Sequence, residues 1–144
     1  MDLESAIQIS ASGLKANRAW INVLSSNLAN VNTTKTADGI PYRRKTVIYE
    51  AEPAEGFAGE LYSAMSEGPD KVQVSDIVAD QRDFKQVYDP ANPEADEKGI
   101  VLMPNINPVE EMANLANASR SYEANLAALQ TARQLALKSM DIGK

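Results

Sequence analysis

The chain has 144 residues, which suits one domain of ordinary size, and 44% of them are hydrophobic, which permits a core. It contains no Cys and no His, so disulfides, thiolate nucleophiles, His-based catalytic triads and His-ligated zinc are all excluded. A net charge of −6 argues against nucleic acid as a partner, because phosphates require a basic surface.

The N-terminal segment, from residue 1 to about residue 31, is free of proline and predicts a long helix. Apolar residues recur at intervals of four and three, a heptad pattern typical of helices that pack against other helices. The predicted stripe consists of Leu3, Ile7, Ser10, Leu14, Asn17, Ile21, Leu24, Leu28 and Val31. Asn17 lies on this stripe, and a buried Asn at such a position fixes helix register. That role for Asn17 is a hypothesis.

The middle of the chain is acidic and predicts a small β-rich insert. Residues 36–104 carry seven basic and fourteen acidic side chains, whereas residues 1–35 and 105–144 are near neutral. Alternating and β-branched residues predict strands, and Gly, Pro and Asp clusters separate them. The predicted strands cover residues 42–49, 71–78, 83–88 and 99–103, and residues 51–70 are predicted to be a loop around a short strand at 60–64.

The C-terminal segment predicts a second long helix. Asn107 is placed to cap it, with Pro108 at its first position and Glu110 at its third. Its predicted stripe consists of Met112, Leu115, Ser119, Tyr122, Leu126, Leu129, Arg133, Ala136 and Met140.

These elements together indicate a mainly α fold with a β-rich insert. The two terminal helices are expected to pack as a coiled-coil-like hairpin, with the insert projecting from one end. The domain boundaries that follow are residues 1–35 and 108–144 for the two helices of a core domain, and residues 36–107 for the insert.

The residues offer no site for chemistry. Ser12 and Lys15 have a spacing found in penicillin-recognising enzymes, but the companion motifs are missing. The acidic residues from Asp89 to Glu97 lack the alternating ligands and central glycine of a calcium loop. We therefore predict no catalytic residue, no cofactor and no metal. We also expect no membrane insertion and no cleaved secretory signal, because a long apolar run and a basic leader are both missing.

Six motifs resemble the bacterial flagellar basal-body rod protein family. Residues 25–33 (SSNLANVNT) are similar to the N-terminal signature that rod and hook proteins share. The other five are similar to the proximal rod branch of that family, and they are residues 38–43 (DGIPYR), 87–90 (VYDP), 103–105 (MPN), 110–112 (EEM) and 119–125 (SRSYEAN). The resemblance covers residues 1–50 and 71–144, and residues 51–70 show no strong match.

The resemblance implies a structural subunit of the flagellar rod, the helical drive shaft that transmits motor torque to the hook. Its implied partners are copies of itself, other rod proteins, and the basal membrane ring with its export gate. It also implies a periplasm-spanning location, reached through the type III export apparatus without a cleaved signal peptide. From the residues alone, the chain would be placed in the cytoplasm.

The expected assembly residues follow from the resemblance and from the two stripes. The assembly motif is Asn27, Leu28, Ala29 and Asn30, and the helix seam is Leu14, Ile21, Leu24, Tyr122, Leu126 and Leu129. A single amphipathic helix in water is marginal, so subunit addition is expected to supply the missing burial. Two alternatives remain open at this point, namely another axial protein of the flagellum and a helical-hairpin adaptor, and an enzyme is more distant.

Overall fold

The computed structural model describes residues 3–53 and 70–142, and its elements follow the predicted order. They are the helix α1 (Leu3–Ala29), the strands β1 (Lys45–Pro53), β2 (Asp70–Ala79), β3 (Lys85–Tyr88) and β4 (Ile100–Met103), and the helix α2 (Pro108–Ile142). The mainly α fold with a β-rich insert is confirmed. The strand predicted at residues 60–64 lies outside the described residues. Residues 51–53 were predicted to be loop but continue β1.

Local side-chain chemistry explains where α1 ends and where α2 begins. The Oδ1 atom of Asn107 accepts a hydrogen bond from the backbone N–H of Val109 at 3.2 Å, and α2 begins at Pro108, so the predicted cap is confirmed. At the end of α1, the Nδ2 of Asn30 donates to the carbonyl of Ser26 at 2.8 Å. The same carbonyl also accepts a hydrogen bond from the backbone N–H of Asn30 at 3.1 Å, so the Asn30 side chain adds a second hydrogen bond at the last turn of the helix.

The two helices pair in an antiparallel arrangement with a constant register. Gly13 of α1 lies opposite Asn125 of α2, and Asn27 lies opposite Glu111. The interval from Gly13 to Asn27 on α1 equals the interval from Glu111 to Asn125 on α2, so the register of the two helices is the same at both pairs. The same register brings Leu3 level with residue 135, so the last seven residues of α2 extend about 10 Å beyond Leu3.

The face of α2 that meets α1 differs from the predicted stripe. At every second position of the stripe, the residue that faces α1 is the one just before the predicted residue. Its least exposed residues include Glu111, Leu115, Ala118, Tyr122, Asn125, Leu129, Ala132 and Ala136. The predicted stripe had Met112, Ser119, Leu126 and Arg133 in place of four of these. Alanine or a polar residue occupies each of these four positions, and Ala118 is fully buried while Met112 is 56% exposed.

Gly13 leaves room for the side chain of Asn125 between the helices. A methyl group built on it would lie 2.7 Å from the Nδ2 of Asn125, closer than van der Waals contact allows. We therefore expect Gly13→Leu to separate the helices and to lower the free energy of unfolding by about 1–3 kcal/mol. Urea unfolding followed by circular dichroism measures this, and Ala11→Leu on the exposed side is the matched control. Equal stability of Gly13→Leu and the wild type would contradict the close approach.

The β1–β2 hairpin lies alongside α1, so the expectation that the insert projects from one end is wrong. The strands are antiparallel, with Lys45 opposite Ala79 and Pro53 opposite Asp70, and a bulge follows Ile48. Toward the far end of the hairpin, the backbone N–H of Val72 donates to the Oγ of Ser12 at 3.2 Å. A two-stranded ribbon is marginal by itself, which explains why it folds back onto a helix.

The β3–β4 ribbon is a second, separate antiparallel pair, with Lys85 opposite Met103 and Tyr88 opposite Ile100. Gly99 precedes β4 with a φ of 74°, and a Cβ there would lie 3.0 Å from the ring of Tyr88. Both facts favour glycine at that position.

The buried apolar residues concentrate where the end of α1 meets the start of α2. They include Val23 and Leu24 of α1, Ala118 of α2, and Val101 and Ile106 of the chain that leads into α2. The core therefore anchors the helix pair at one end, and the rest of the pair is a thinner two-helix layer.

Candidate functional site

Asn27 is fully buried, and it uses every hydrogen-bonding position of its amide. Its Nδ2 donates to the carbonyl of Lys45 at 2.8 Å and to the Oε2 of Glu111 at 3.0 Å. Its Oδ1 accepts from the backbone N–H of Lys45 at 2.9 Å and from the Tyr42 hydroxyl at 3.2 Å. One side chain thus ties α1 to the start of β1 and to the first turn of α2.

Glu111 is the charged counterpart of Asn27 and is only 1% exposed. Its Oε1 accepts a hydrogen bond from the Nε of Arg44 at 2.6 Å, which is also an ion pair. A buried carboxylate is tolerated when a cation and hydrogen-bond donors surround it. Arg44 and Asn27 supply these, one to each carboxylate oxygen.

Asn105 and Asp80 extend this network. The backbone N–H of Arg44 donates to the Oδ1 of Asn105 at 2.8 Å, and the Nδ2 of Asn105 donates to the carbonyl of Arg82 at 3.1 Å. The Arg44 guanidinium also lies 3.7 Å from the Asp80 carboxylate. We call the group Asn27, Tyr42, Arg44, Asn105 and Glu111 the polar hub.

The Asp80 carboxylate is held ionised by Arg82. Hydrogen bonds from the Arg82 guanidinium, at 2.8 Å, and from its backbone N–H, at 3.0 Å, hold the pKa of Asp80 below its usual value of 3.8. The Arg44 charge makes a smaller contribution in the same direction. Asp80 therefore stays negative next to Arg44 at neutral pH.

The expected assembly motif is divided between buried and open positions. Asn27 is buried, and Asn30 is half-buried and bonded to Ser26 and Thr33. Leu28 is half-buried and Ala29 is exposed. The two asparagines are therefore engaged within the chain, and the two apolar residues between them retain open surface.

The expected seam residues differ in burial. Leu24 is 1% exposed, at the anchored end of the helix pair. Leu126 lies at the opposite extreme, at 36% exposed. The half-buried members are Leu14, Ile21, Tyr122 and Leu129. Asn17 is half-buried as well, so the fully buried Asn of the described residues is Asn27.

Sequence reasoning missed the partners of Asn27. Residues 38–43, 103–105 and 110–112 were quoted as motif positions, but no role was assigned to Tyr42, Asn105 or Glu111, and Arg44 was passed over. Two features of the sequence pointed to these residues: Glu111 lies in the first turn of a helix, and Arg44 follows a turn that ends in Pro41-Tyr42. They did not reveal the contact between Asn27 and Glu111, because these residues lie 84 positions apart and only the fold brings them together.

The described residues contain no group of Asp and Glu side chains suited to holding a metal. Within residues 3–53 and 70–142, every buried side-chain N or O atom has a hydrogen-bond partner. Neither long helix in that part of the chain is apolar enough to cross a membrane. Ser12, considered above for its spacing from Lys15, instead donates to the carbonyl of Ile9 and accepts from Val72.

Two family models match the terminal regions of the chain. The model described as flagella basal body rod protein matches residues 7–35. The model described as flagellar basal body rod FlgEFG protein C-terminal matches residues 97–142. The two matches thus contain α1 from residue 7 onward and all of α2, including Asn27 and Glu111 of the polar hub.

Three relatives that match over nearly the whole chain are named flagellar basal-body rod protein FlgC. The flagellar basal-body rod protein FlgC of Bacillus subtilis (strain 168) is 40% identical over 96% of this chain and 97% of its own length. The FlgC protein of Escherichia coli O157:H7 is 40% identical over the full length of both chains. That of Aquifex aeolicus (strain VF5) is 38% identical over all of this chain and 99% of its own length.

Proposed function

Because the chain belongs to the FlgC group of flagellar basal-body rod proteins, we propose that it assembles through its two terminal helices into the helical shaft that transmits motor torque to the hook. It is a structural subunit of the basal-body rod, located in the flagellar basal body with other rod components.

The unequal burial of the helix pair supports assembly through the helices. Leu24 and Ala118 are closed inside the chain, whereas Met112, Leu126 and Met140 are 56%, 36% and 70% exposed. Covering a large apolar side chain completely contributes about 1.5–3 kcal/mol. A subunit that keeps this surface open gains stability when a neighbour covers it.

The polar hub suits a subunit that must transmit force. It joins α1, the start of β1 and the start of α2 through charged and amide groups that are fully paired. Because a half-broken buried network is costly, the hub resists sliding of one helix along the other. We assign residues 1–35 and 108–144 to an axial core and residues 36–107 to an insert that covers one side of it.

The same proposal includes partners beyond copies of this chain. They are the other rod proteins, the basal membrane ring and the export gate. It also includes export to a periplasm-spanning position. Two long helices that gain burial on assembly are compatible with passage as an extended chain, because ordering can be completed at the growing end.

Leu28→Asp tests the role of the helices in assembly. Leu28 is half-buried in the single chain, so Asp there places a carboxylate in the proposed interface, and circular dichroism of the purified variant checks that it still folds. An unpaired carboxylate is expensive to bury, and we expect the amount of protein in purified basal bodies to fall at least about tenfold, with loss of swimming. Asn22→Asp, at an exposed position of the same helix, is the matched control.

Normal swimming and normal incorporation of Leu28→Asp would remove the helix interface from the proposal. If the wild-type protein were a stable monomer that never enters basal bodies, a helical-hairpin adaptor would be favoured instead.

A further inference from the structure

Four pairs of residues, spaced by about two helical turns, describe how α1 and α2 are aligned. They are Asn27 with Glu111, Trp20 with Ala118, Gly13 with Asn125, and Ala6 with Ala132. Direct contacts define the first and third pairs. The low exposure of Ala118 and Ala132, 0% and 7%, agrees with the other two. Among these four pairs, the one at the hub end is the one that contains a charged residue.

A displacement of α2 by one turn would keep the rest of the contact apolar. The residues that follow the four α2 positions by one turn are Leu115, Tyr122, Leu129 and Ala136. All four are half-buried in the observed structure, so they already belong to the side of α2 that meets α1. In the displaced register Tyr122 would lie opposite Trp20, a favourable aromatic pair. Leu129 would lie opposite Gly13, which has no side chain to obstruct it.

The length of α2 permits the same displacement. In the observed register its last seven residues extend beyond Leu3, and α2 ends at Ile142. A displacement by four residues, about 6 Å, brings Leu3 level with residue 139, which is still within α2. The first helix therefore stays covered in both registers, and helix length does not select between them.

Glu111 distinguishes the two registers, because it is the side chain that α2 contributes to the polar hub. In the observed register its two oxygens accept hydrogen bonds from Arg44 and Asn27. After the displacement it would lie level with Val31, beyond the end of α1, and Leu115 would take its place. One N–H of Asn27 and the Arg44 guanidinium would then face an apolar side chain, and leaving buried polar groups unpaired is costly.

We propose that Glu111 is the positioning residue that fixes the register of the two helices, and that its buried ion pair serves this selection rather than overall stability. Removing two charges from water costs about as much as their attraction returns, so apolar residues often replace a buried pair without loss of stability. A displaced register, by contrast, leaves Glu111 without a cation and Arg44 with only the Asp80 carboxylate at 3.7 Å. The pair is thus a weak stabiliser of the chain and a strong selector of its alignment.

This inference rests on the proposed function and deepens it. The subunits of a helical shaft repeat the same contacts from one copy to the next, so each copy must present the same surface. A displacement of about 6 Å would move every side chain of α2 by one turn relative to α1. Such a subunit would still be folded, but its surface would not match that of its neighbours.

Disulfide formation within one chain reports the register, and the chain is suited to this test because it contains no Cys. Ala6→Cys with Ala132→Cys reports the observed register, and Ala6→Cys with Ala136→Cys reports the displaced one. A disulfide requires Cβ atoms about 3.5–4.5 Å apart, so a displacement by one turn separates the two reports. These positions lie about 30 Å along the helix from Asn27, far from the hub. The purified chain is oxidised in dilute solution, and the bonds are identified by peptide mass.

Arg44→Met with Glu111→Leu removes both buried charges at once, and we expect the variant to keep wild-type helicity. With the wild-type hub, the observed-register disulfide should form at least about tenfold faster than the displaced one, and the double variant should lose this preference. Glu110→Leu with Arg82→Met removes the same two charges from exposed positions, so this matched control should keep the preference. A folded double variant that also kept it would overturn the inference.

Glu111→Leu with Leu115→Glu moves the carboxylate by one turn and preserves the charges of the hub. Its carboxylate meets Arg44 and Asn27 in the displaced register, so we expect the displaced disulfide to become the faster one. Continued preference for the observed register would overturn the inference, because the carboxylate would not select the alignment. Loss of helicity in both double variants would overturn it as well, since the hub would then be required for folding itself.

Incorporation into basal bodies separates this inference from the proposed function, because the register is measured on the purified chain and does not depend on the rod. The folded variant with Glu111→Leu and Leu115→Glu should enter basal bodies at least about tenfold less than the wild type, since its surface is displaced. Normal incorporation of that variant would overturn the claim that the shaft requires the observed register. Absence of the wild-type chain from basal bodies would instead contradict the proposed function and leave the register result intact.

Discussion

Glu111→Ala is expected to lower the free energy of unfolding by about 3 kcal/mol, because removing one partner of a buried ion pair is strongly destabilising and leaves Arg44 only the Asp80 carboxylate at 3.7 Å. Glu111 is 1% exposed, and its carboxylate is bonded to both Arg44 and Asn27. Without it, the Arg44 guanidinium loses its nearest carboxylate, and one N–H of the Asn27 amide loses its acceptor. Since small domains have about 5–15 kcal/mol of stability in total, this one change is expected to bring the chain close to unfolding.

Urea unfolding of the purified chain, followed by circular dichroism, measures the effect. Glu110→Ala is the matched control, since Glu110 is the neighbouring carboxylate and is exposed. A loss below about 1 kcal/mol for Glu111→Ala, equal to that of an exposed ion pair, would show that the hub does not hold the helix ends together.

Leu24→Ala is expected to cost about 2–5 kcal/mol, the usual range for removing a buried leucine side chain. Leu24 is 1% exposed and lies at the anchored end of the helix pair, close in sequence to Asn27. The cavity left by its side chain cannot collapse easily, because the hub fixes the neighbouring turn. Loss of stability and loss of assembly are expected together in this variant.

Leu28→Ala, one turn further along α1, separates the two effects. Leu28 is half-buried in the single chain, so its unfolding free energy is expected to change by about 1 kcal/mol or less, while incorporation into basal bodies falls. If Leu24→Ala and Leu28→Ala changed stability equally, the distinction between the buried Leu24 and the half-buried Leu28 would be wrong.

Much of the secondary structure follows from local chemistry. Asn107 and Pro108 start α2 as predicted, and the strands at 71–78, 83–88 and 99–103 were placed within about two residues of their observed ends. Caps, turns and β-branched runs act over a few residues, which explains why they are visible in a sequence.

The contacts between the elements were harder to predict from the sequence. The predicted stripes were placed on the large residues, but the helices meet through Gly13, Ala118 and Ala132, since closely packed helices favour small side chains at their contact. The heptad pattern of large residues on α2 lies beside this contact rather than at its centre. The hairpin was expected to project away, because nothing in its sequence shows that it packs beside Ser12.

The polar hub shows the same limit for charged residues. Asn27 was recognised as a motif residue, and its role was expected to be contact with other subunits. The structure gives it four intrachain hydrogen bonds. Burial turns an amide and a carboxylate into a joint between distant segments, and burial depends on the whole fold. The assembly role of Leu28 and Ala29, which retain open surface, remains a prediction.

Imaging basal bodies from a strain that lacks this chain tests the central claim most directly. A strain complemented with the wild-type chain is the control. The account predicts basal rings without a rod, and rods restored on complementation. Intact rods and filaments in the deletion strain would contradict it.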